Sequence, residues 1–90
     1  MIEIKFEQNR SAAYDGEKLI GHCDFEIDQN IWVAKHTFVE KEYAGQGIAK
    51  KLLQCVVKNA AMQNAKIKPV CSYVVREFDK NPELYAAVKL

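Results

Sequence analysis

The sequence has little of what marks several specialised classes of protein. Its 90 residues carry a formal net charge of only +1, which argues against the basic surface of a nucleic-acid-binding domain and against a polybasic membrane anchor. No apolar run approaches the roughly 20 residues of a membrane-spanning helix. The first residues are charged from Glu3 onward, unlike a signal or transit peptide. We therefore expect a cytoplasmic protein with neither nucleic acid nor membrane as partner.

Cysteine is also scarce. Cys23, Cys55 and Cys71 are odd in number, widely spaced and without a Cys-x-x-Cys pair. This pattern argues against a disulfide framework and a zinc site, and it predicts a reducing compartment and no metal. A chain of this length has room for one hydrophobic core, so residues 1–90 are predicted to form a single domain.

Four strands are predicted in the first half of the chain. Apolar and charged residues alternate over residues 2–6, and a short second strand at 11–14 ends at the turn dipeptide Asp15-Gly16. Alternation returns over residues 18–28. Residues 31–39 are apolar on both faces, as in a central strand covered by a helix, and the side chains of Trp32 and Phe38 are expected in the core. Short links between these strands indicate an antiparallel meander.

The second half begins with a long amphipathic helix, predicted over about residues 47–61, whose polar stripe is narrow. A fifth strand is predicted over 67–73, at an edge or bulge because of Pro69, and it includes Cys71. A short helix over 74–80 and a last helical turn through Tyr85 follow. The predicted fold is α+β, with a mostly antiparallel sheet in the order β-β-β-β-α-β-α and one long and one short helix.

A glycine-rich turn, Gly45-Gln46-Gly47, lies between the fourth strand and the long helix. Backbone N–H groups at such a helix start lack partners and carry the positive end of the helix dipole, which favours a phosphate or pyrophosphate. Alternatively, the glycines only relieve strain in a tight turn. The turn lacks the third glycine of a dinucleotide fingerprint, and the chain has no Gly-Lys-Ser/Thr of a P-loop.

The chain from His36-Thr-Phe-Val39 through Tyr43-Ala-Gly-Gln-Gly-Ile-Ala49 to the long helix and next strand resembles the core of the GNAT superfamily of N-acetyltransferases. The phosphate loop of that superfamily reads Arg/Gln-x-x-Gly-x-Gly/Ala, and residues 44–49 match it except that Ala44 replaces Arg or Gln. The segment from Cys71 to Glu83 is similar to the small single-domain YjdJ-type branch. The resemblance covers about residues 19–85.

The resemblance implies a minimal domain that binds acetyl-CoA, or coenzyme A. Backbone groups of the loop would hold the pyrophosphate, and the edge of the preceding strand would pair with the pantetheine amides. Ala44 removes one side-chain phosphate contact, which is expected to weaken binding without abolishing it. The cofactor-binding residues implied are Phe38, Val39, Ala44, Gly45, Gln46, Gly47, Ile48 and Ala49, to which Lys50, beside the turn, is added.

The family resemblance also implies a catalytic role for Cys71, and more loosely for His36. Cys71 would accept the acetyl group or protonate the departing thiolate of coenzyme A, and His36 would act as a base toward the acceptor or lower the pKa of the thiol. Strand cysteines and histidines are more often structural, so these roles stay open. Tyr43 and Tyr73 are candidates for a general acid, with packing as the alternative.

The predicted function is an acetyl-CoA-dependent N-acetyltransferase that acts on an amine of a small molecule or protein. The alternative is a module that binds coenzyme A or a protein partner and has little catalytic activity. A third possibility is an α+β domain without a nucleotide site. Elements that shape the acceptor pocket in longer superfamily members have no counterpart in 90 residues, so the acceptor site is expected to be open.

Overall fold

The computed structural model describes all 90 residues as one five-stranded sheet with its helices on one face. The elements follow the chain as β1 (Ile2–Glu7), β2 (Arg10–Asp15), β3 (Lys18–Asp28), β4 (Ile31–Val39), a 3-10 turn (Lys41–Tyr43), α1 (Ile48–Met62), β5 (Lys66–Pro69), α2 (Ser72–Lys80) and α3 (Pro82–Tyr85). The strands lie in sequence order. The first four are antiparallel, and β5 runs parallel to β4.

The core lies between α1 and the sheet. Leu52, Leu53 and Val56 on α1 are fully buried, and α1 packs across all five strands. On the sheet, the rings of Phe25 and Trp32 stack with their centroids 4.6 Å apart. The buried Ser11 hydroxyl donates a hydrogen bond of 2.8 Å to the Leu52 carbonyl and ties the helix to β2. A second group, on α2 and α3, extends this core through the stacked rings of Phe78 and Tyr85.

The opposite face of the sheet carries charged and polar side chains. On β1, Glu3 and Lys5 are exposed while Ile2 and Ile4 are partly buried against the core, which is the predicted period-two alternation. His36 and Phe38 on β4 are also exposed. No helix of the protein is both long and apolar enough to cross a membrane.

The α+β class, the antiparallel meander and the bounds of β3 and β4 are confirmed. Two predictions were wrong. Phe38 is 45% exposed and lies outside the core, because its side chain points to the uncovered face. The fifth strand ends at Pro69, so Cys71 lies outside it, at the position preceding α2. The strand stops there because the N–H groups of Val70 and Cys71 both donate to the Ala34 carbonyl, which turns the chain away from β4.

Candidate functional site

Strands β4 and β5 separate at the middle of β4. Their pairing runs from Ile31 with Lys66 to Ala34 with Pro69 and goes no further. At that point the Ala34 carbonyl accepts hydrogen bonds from the N–H groups of Val70 (3.0 Å) and Cys71 (2.9 Å). Beyond Ala34, β4 continues to Val39 while the other chain enters α2. The second half of β4 therefore has β3 on one side and a gap on the other.

The backbone groups that face this gap belong to Thr37 and Val39. Just after β4, the Glu40 N–H donates to the Ile20 carbonyl at 2.8 Å. In an antiparallel pair every second residue bonds to the neighbouring strand, so Phe38, two residues earlier, also bonds to β3. The intervening residues, Thr37 and Val39, direct their N–H and C=O groups away from β3. They form an edge without a partner strand, of the kind that binds an extended chain, and the Thr37 N–H group on this edge faces the Cys71 sulfur.

The glycine-rich turn supplies the second wall of the gap. Gly45 (φ 81°) and Gly47 (φ 74°) both adopt the left-handed conformation that favours glycine. The first hydrogen bond of α1 joins the Lys51 N–H to the Gly47 carbonyl at 3.2 Å. No protein group accepts the backbone N–H groups of residues 45–50. The first turn of α1 contains no acidic residue, so this cluster of donors keeps its positive potential.

A side-chain contact fixes this turn to the sheet. The Tyr43 hydroxyl donates a hydrogen bond of 2.5 Å to Asp15 Oδ2 on the β2–β3 hairpin. This bond, together with burial, raises the pKa of Tyr43 to about 12. It also lowers the pKa of Asp15. A phenol held this firmly by a carboxylate is a poor proton donor, so the contact serves to position the turn.

The strand edge and the turn enclose a cavity of about 350 Å³. Its lining residues come from β4, the turn, the first residues of α1 and α2: Val39, Tyr43, Ala44, Gly45, Gly47, Ile48, Ala49, Lys50 and Tyr73. Seven of the residues predicted for the cofactor line it, while Phe38 and Gln46 do not. A larger depression of about 610 Å³ lies elsewhere, but it is bordered only by the consecutive residues 80–84 and has no cluster of free donors.

Cys71 lies at the N-terminus of α2, across the gap from Thr37. Its sulfur and the Thr37 Oγ1 are 3.5 Å apart. Burial raises the pKa of the thiol, but hydrogen bonds from Thr37 and from the backbone N–H groups of Val74 and Tyr73 outweigh it, so the net pKa is lowered. The neutral Cys71 thiol makes no capping hydrogen bond to α2. The backbone N–H groups of Tyr73 and Val74 instead lower its pKa because they stabilise the charged thiolate.

His36 is not brought to Cys71. Neighbouring residues of a strand point to opposite faces, so Thr37 faces Cys71 and His36 faces the uncovered side of the sheet. There its ring lies 6.0 Å from that of His22, centroid to centroid. The suggestion that His36 lowers the pKa of Cys71 has no contact to support it. A role toward an acceptor on the open face stays a prediction.

Thr37 was not singled out from the sequence. It is followed by Phe38 and Val39, which favour strands as it does, and nothing in a β-branched polar residue indicates a partner. Its contact with Cys71 joins residues 34 positions apart. No side-chain cluster of three or more His, Cys, Asp or Glu residues suited to a metal is present.

Comparison with solved structures supports the architecture. The chain superposes with a TM-score of 0.78 on the solution structure of a GCN5-like N-acetyltransferase candidate from Staphylococcus aureus, with 34% identity over 98% of this chain and 87% of that one. It superposes with a TM-score of 0.65 on the PaiA N-acetyltransferase from Thermoplasma acidophilum, solved with coenzyme A, with 21% identity over 80% of this chain.

A candidate streptothricin acetyltransferase from Bacillus anthracis, solved with acetyl coenzyme A, gives a TM-score of 0.62 and 18% identity over 86% of this chain. The chain spans about half the length of these last two proteins, 48% of each. No curated protein matches its sequence significantly. The family model of GCN5-related N-acetyltransferases matches residues 9–88. The chain therefore belongs to the GCN5-related N-acetyltransferase family.

Proposed function

We propose that the protein transfers an acetyl group from acetyl-CoA to an amine of a small molecule or a protein. The observation that carries this proposal is a cavity formed by the free N–H groups of residues 45–50 and the open edge of β4 at Val39. Cys71 lies beside Thr37, two residues along the same edge, and Tyr73, two residues after Cys71, lines the cavity. We call this cavity and the adjoining edge the groove. Family membership and the relatives solved with coenzyme A or acetyl coenzyme A support this assignment.

The diphosphate of acetyl-CoA fits the start of the groove. Backbone N–H groups at a helix N-terminus bind such anions through several hydrogen bonds and the helix dipole. Both glycines leave open space where a Cβ would stand, so the ligand can approach the backbone closely. Ala44 lines the cavity without offering a donor side chain, which leaves the backbone as the main contact. Lys50, exposed at the same end, supplies a positive charge.

The amides of the pantetheine arm fit the strand edge. The N–H and C=O groups of Val39 and the C=O group of Thr37 point into the gap, so an extended chain with alternating amides can pair with them as an added strand, while the Thr37 N–H group remains with Cys71. This arrangement would place the thioester at the far end of the gap, beside Cys71.

Cys71 is proposed to act as a nucleophile. A thiol with a lowered pKa is present as thiolate in a larger fraction at neutral pH, which suits attack and not proton donation. In the first step the sulfur bonds to the acetyl carbon as the bond to the CoA sulfur breaks, and the CoA thiolate leaves. In the second step a neutral amine attacks the acetyl-cysteine, the Cys71 thiolate is released, and the amine loses a proton to water.

A second candidate is a coenzyme A-binding module with little catalytic activity. The observation that favours it is length, because the chain spans only about half of the larger acetyltransferases. Substitution at Cys71 separates the two candidates, since the sulfur is needed for transfer but lies beyond the anion-binding turn.

The test is Cys71→Ser, with Cys55→Ser as the matched control on α1. Affinity for CoA is measured by calorimetry, transfer by release of free CoA in the presence of amines, and acetylation of the protein by intact mass. We expect Cys71→Ser to bind CoA as tightly as wild type, to lose acetylation and to lose most of the transfer. Cys55→Ser should behave as wild type.

Unchanged transfer by Cys71→Ser would show that the thiol has no catalytic role. Tight binding of CoA by the wild-type protein with neither transfer nor acetylation would support the binding module. Absence of binding at millimolar CoA would overturn both candidates.

A further inference from the structure

Thr37 connects two cysteines that lie in different surroundings. Its Oγ1 is 3.5 Å from the sulfur of Cys71 and 3.5 Å from the sulfur of Cys23. In the neutral state the Cys71 thiol donates to Oγ1, and the Thr37 hydroxyl donates to Cys23. Cys23 is fully buried on β3, directly opposite Thr37 in the sheet. The three side chains therefore form a short chain of hydrogen bonds from the groove into the core.

We infer that Thr37 is the positioning residue of Cys71, holding its sulfur at the groove and stabilising its thiolate by turning the hydroxyl hydrogen bond from Cys23 to Cys71. A hydroxyl has one proton to donate. While Cys71 is a thiol, that proton is given to Cys23. When Cys71 loses its proton it becomes an acceptor, and a charged sulfur attracts a donor more strongly than the neutral sulfur of Cys23 does.

The backbone of Thr37 acts in the same direction. Its N–H group faces the gap and favours the charged form of the Cys71 sulfur, together with the Thr37 hydroxyl. The Thr37 side chain points to the helix-covered face of the sheet. Its hydroxyl and its backbone N–H group both act on the Cys71 sulfur. Ionisation of Cys71 therefore breaks the bond from Thr37 to Cys23 but leaves the backbone in place.

The groups around Cys71 that influence its ionisation are mostly uncharged. Apart from burial, the largest are the hydroxyl and N–H of Thr37 and the N–H groups of Tyr73 and Val74. Cys23 on β3 stays neutral because burial raises its pKa to about 11, and the phenol of Tyr73, two residues after Cys71 on α2, has a pKa raised to about 12. A pH profile of Cys71 therefore reports mainly on Thr37 and on the N–H groups at the start of α2.

This inference deepens the proposed function. The thiolate is both the attacking group in the first step and the leaving group in the second, and the Thr37 hydroxyl would stabilise it in each. In the acetylated intermediate the sulfur is neutral, so the hydroxyl is free to return to Cys23. No additional reactant is required.

The test measures alkylation of Cys71 by iodoacetamide as a function of pH, with reduced protein and peptide-resolved mass spectrometry. It needs no CoA and no acceptor. Thr37→Val, which keeps the shape but loses the hydroxyl, should raise the apparent pKa of Cys71 by about one, so alkylation below that pKa slows about tenfold. Thr37→Ser, which keeps the hydroxyl, should restore the wild-type profile. Cys55 in the same sample is the internal control, and its profile should not move.

Cys23→Ala should shift the apparent pKa of Cys71 in the direction opposite to that of Thr37→Val. It removes the competing acceptor, so the Thr37 hydroxyl should favour Cys71 more strongly and the apparent pKa of Cys71 should fall. Thermal unfolding confirms that each variant is folded, and Cys23→Ala keeps the test decisive if Thr37→Val does not fold.

A Thr37→Val profile that superimposes on wild type, or a Cys23→Ala profile that is unchanged or moves upward, would overturn the inference. Either result leaves acetyl transfer by Cys71 standing. A shifted alkylation profile in a protein that never becomes acetylated would instead uphold Thr37 as the positioning residue and reject the proposed function.

Discussion

At the scale of single residues, the three cysteines show how surroundings decide the chemistry of one functional group. Cys23 is enclosed in the core, and burial raises the pKa of its thiol from the usual 9.0 to about 11. Cys71 is partly buried as well, but the donors of Thr37 and α2 reverse the effect of burial and lower its pKa. Cys55, on α1, has its pKa raised by burial. The Cys23 thiol is therefore kept neutral by burial, while the Cys71 thiol loses its proton at a lower pH than an ordinary cysteine.

This contrast predicts a loss of stability in alkaline solution. Between pH 9 and 11 the unfolded chain releases the Cys23 proton while the folded chain still holds it, so the unfolded state binds fewer protons and the free energy of unfolding falls as pH rises. By about pH 10 the expected loss is about 1.4 kcal/mol. Cys71 acts oppositely, because its lowered folded pKa adds stability as pH rises toward 9.0.

Urea unfolding at about pH 8 and about pH 10, under reducing conditions, checks this prediction. Cys23→Ala is expected to be less stable at both pH values but to lose less stability between them. Cys71→Ser should keep the alkaline loss. A Cys23→Ala variant whose stability falls in parallel with wild type would show that Cys23 is not its source.

Residue identities could be predicted from the sequence where local pattern fixes them. Trp32 was predicted to lie in the core and is 2% exposed. Thr37 could not be found in this way. Its importance depends on a contact between β4 and the start of α2, and that contact exists only once β5 has brought Cys71 back beside β4.

At the scale of secondary-structure elements, the junction between β4 and α1 carries the candidate site. Long alternating or amphipathic segments were predicted well, with β3 and β4 found at their observed bounds. The end of β5 was not, since the N–H groups of Val70 and Cys71 turn toward Ala34, a distant residue. The sequence contains no local signal for that choice, and the N-terminal position of Cys71 on α2 follows from it.

The turn before α1 can be tested against a matched glycine. Gly47 and Gly16 both have positive φ (74° and 63°), and a Cβ at either would meet nothing within 4 Å. Alanine at each should therefore cost about 1–2 kcal/mol of folding stability through backbone strain. The two positions differ because Gly47 lines the cavity, whereas Gly16, in the β2–β3 hairpin turn, does not.

Glutamate at the same two positions separates the effect of backbone strain from the effect on anion binding. Gly47→Glu should weaken CoA binding at least about tenfold more than Gly16→Glu does, because its carboxylate repels the diphosphate at the helix N-terminus. Calorimetry with CoA measures the difference, and urea unfolding measures the shared strain. Equal CoA affinity in the two variants would show that the diphosphate does not bind at this turn.

At the scale of the whole molecule, the protein is a sheet with a core on one face and an uncovered second face. The helices, the turn and Cys71 are assembled on the side of α1, while His22, His36 and Phe38 gather on the open face. The second half of β4, which pairs with β3 but not with β5, lies between the two faces. An acceptor is therefore expected to reach the end of the groove from solvent, with few protein elements to select it.

The same architecture explains why the fold of the family is retained in a chain about half the length of the larger relatives. The parts kept are those that create the groove: the β4 edge, the turn, α1 and the β5–α2 crossover. Membership in the GCN5-related N-acetyltransferase family therefore agrees with the geometry at every scale, from the conformation of Gly47 to the split between β4 and β5.

The central claim is that one groove runs from the turn before α1 to Cys71 and holds acetyl-CoA. It is tested most directly by following backbone amide signals in NMR spectra during titration with CoA, in wild type and in Gly47→Glu. We predict that the amides of residues 45–50 and of Thr37, Val39 and Cys71 shift together, with one dissociation constant, and that Gly47→Glu suppresses all of them. Shifts confined to the depression at residues 80–84, or no shifts at millimolar CoA, would contradict the account.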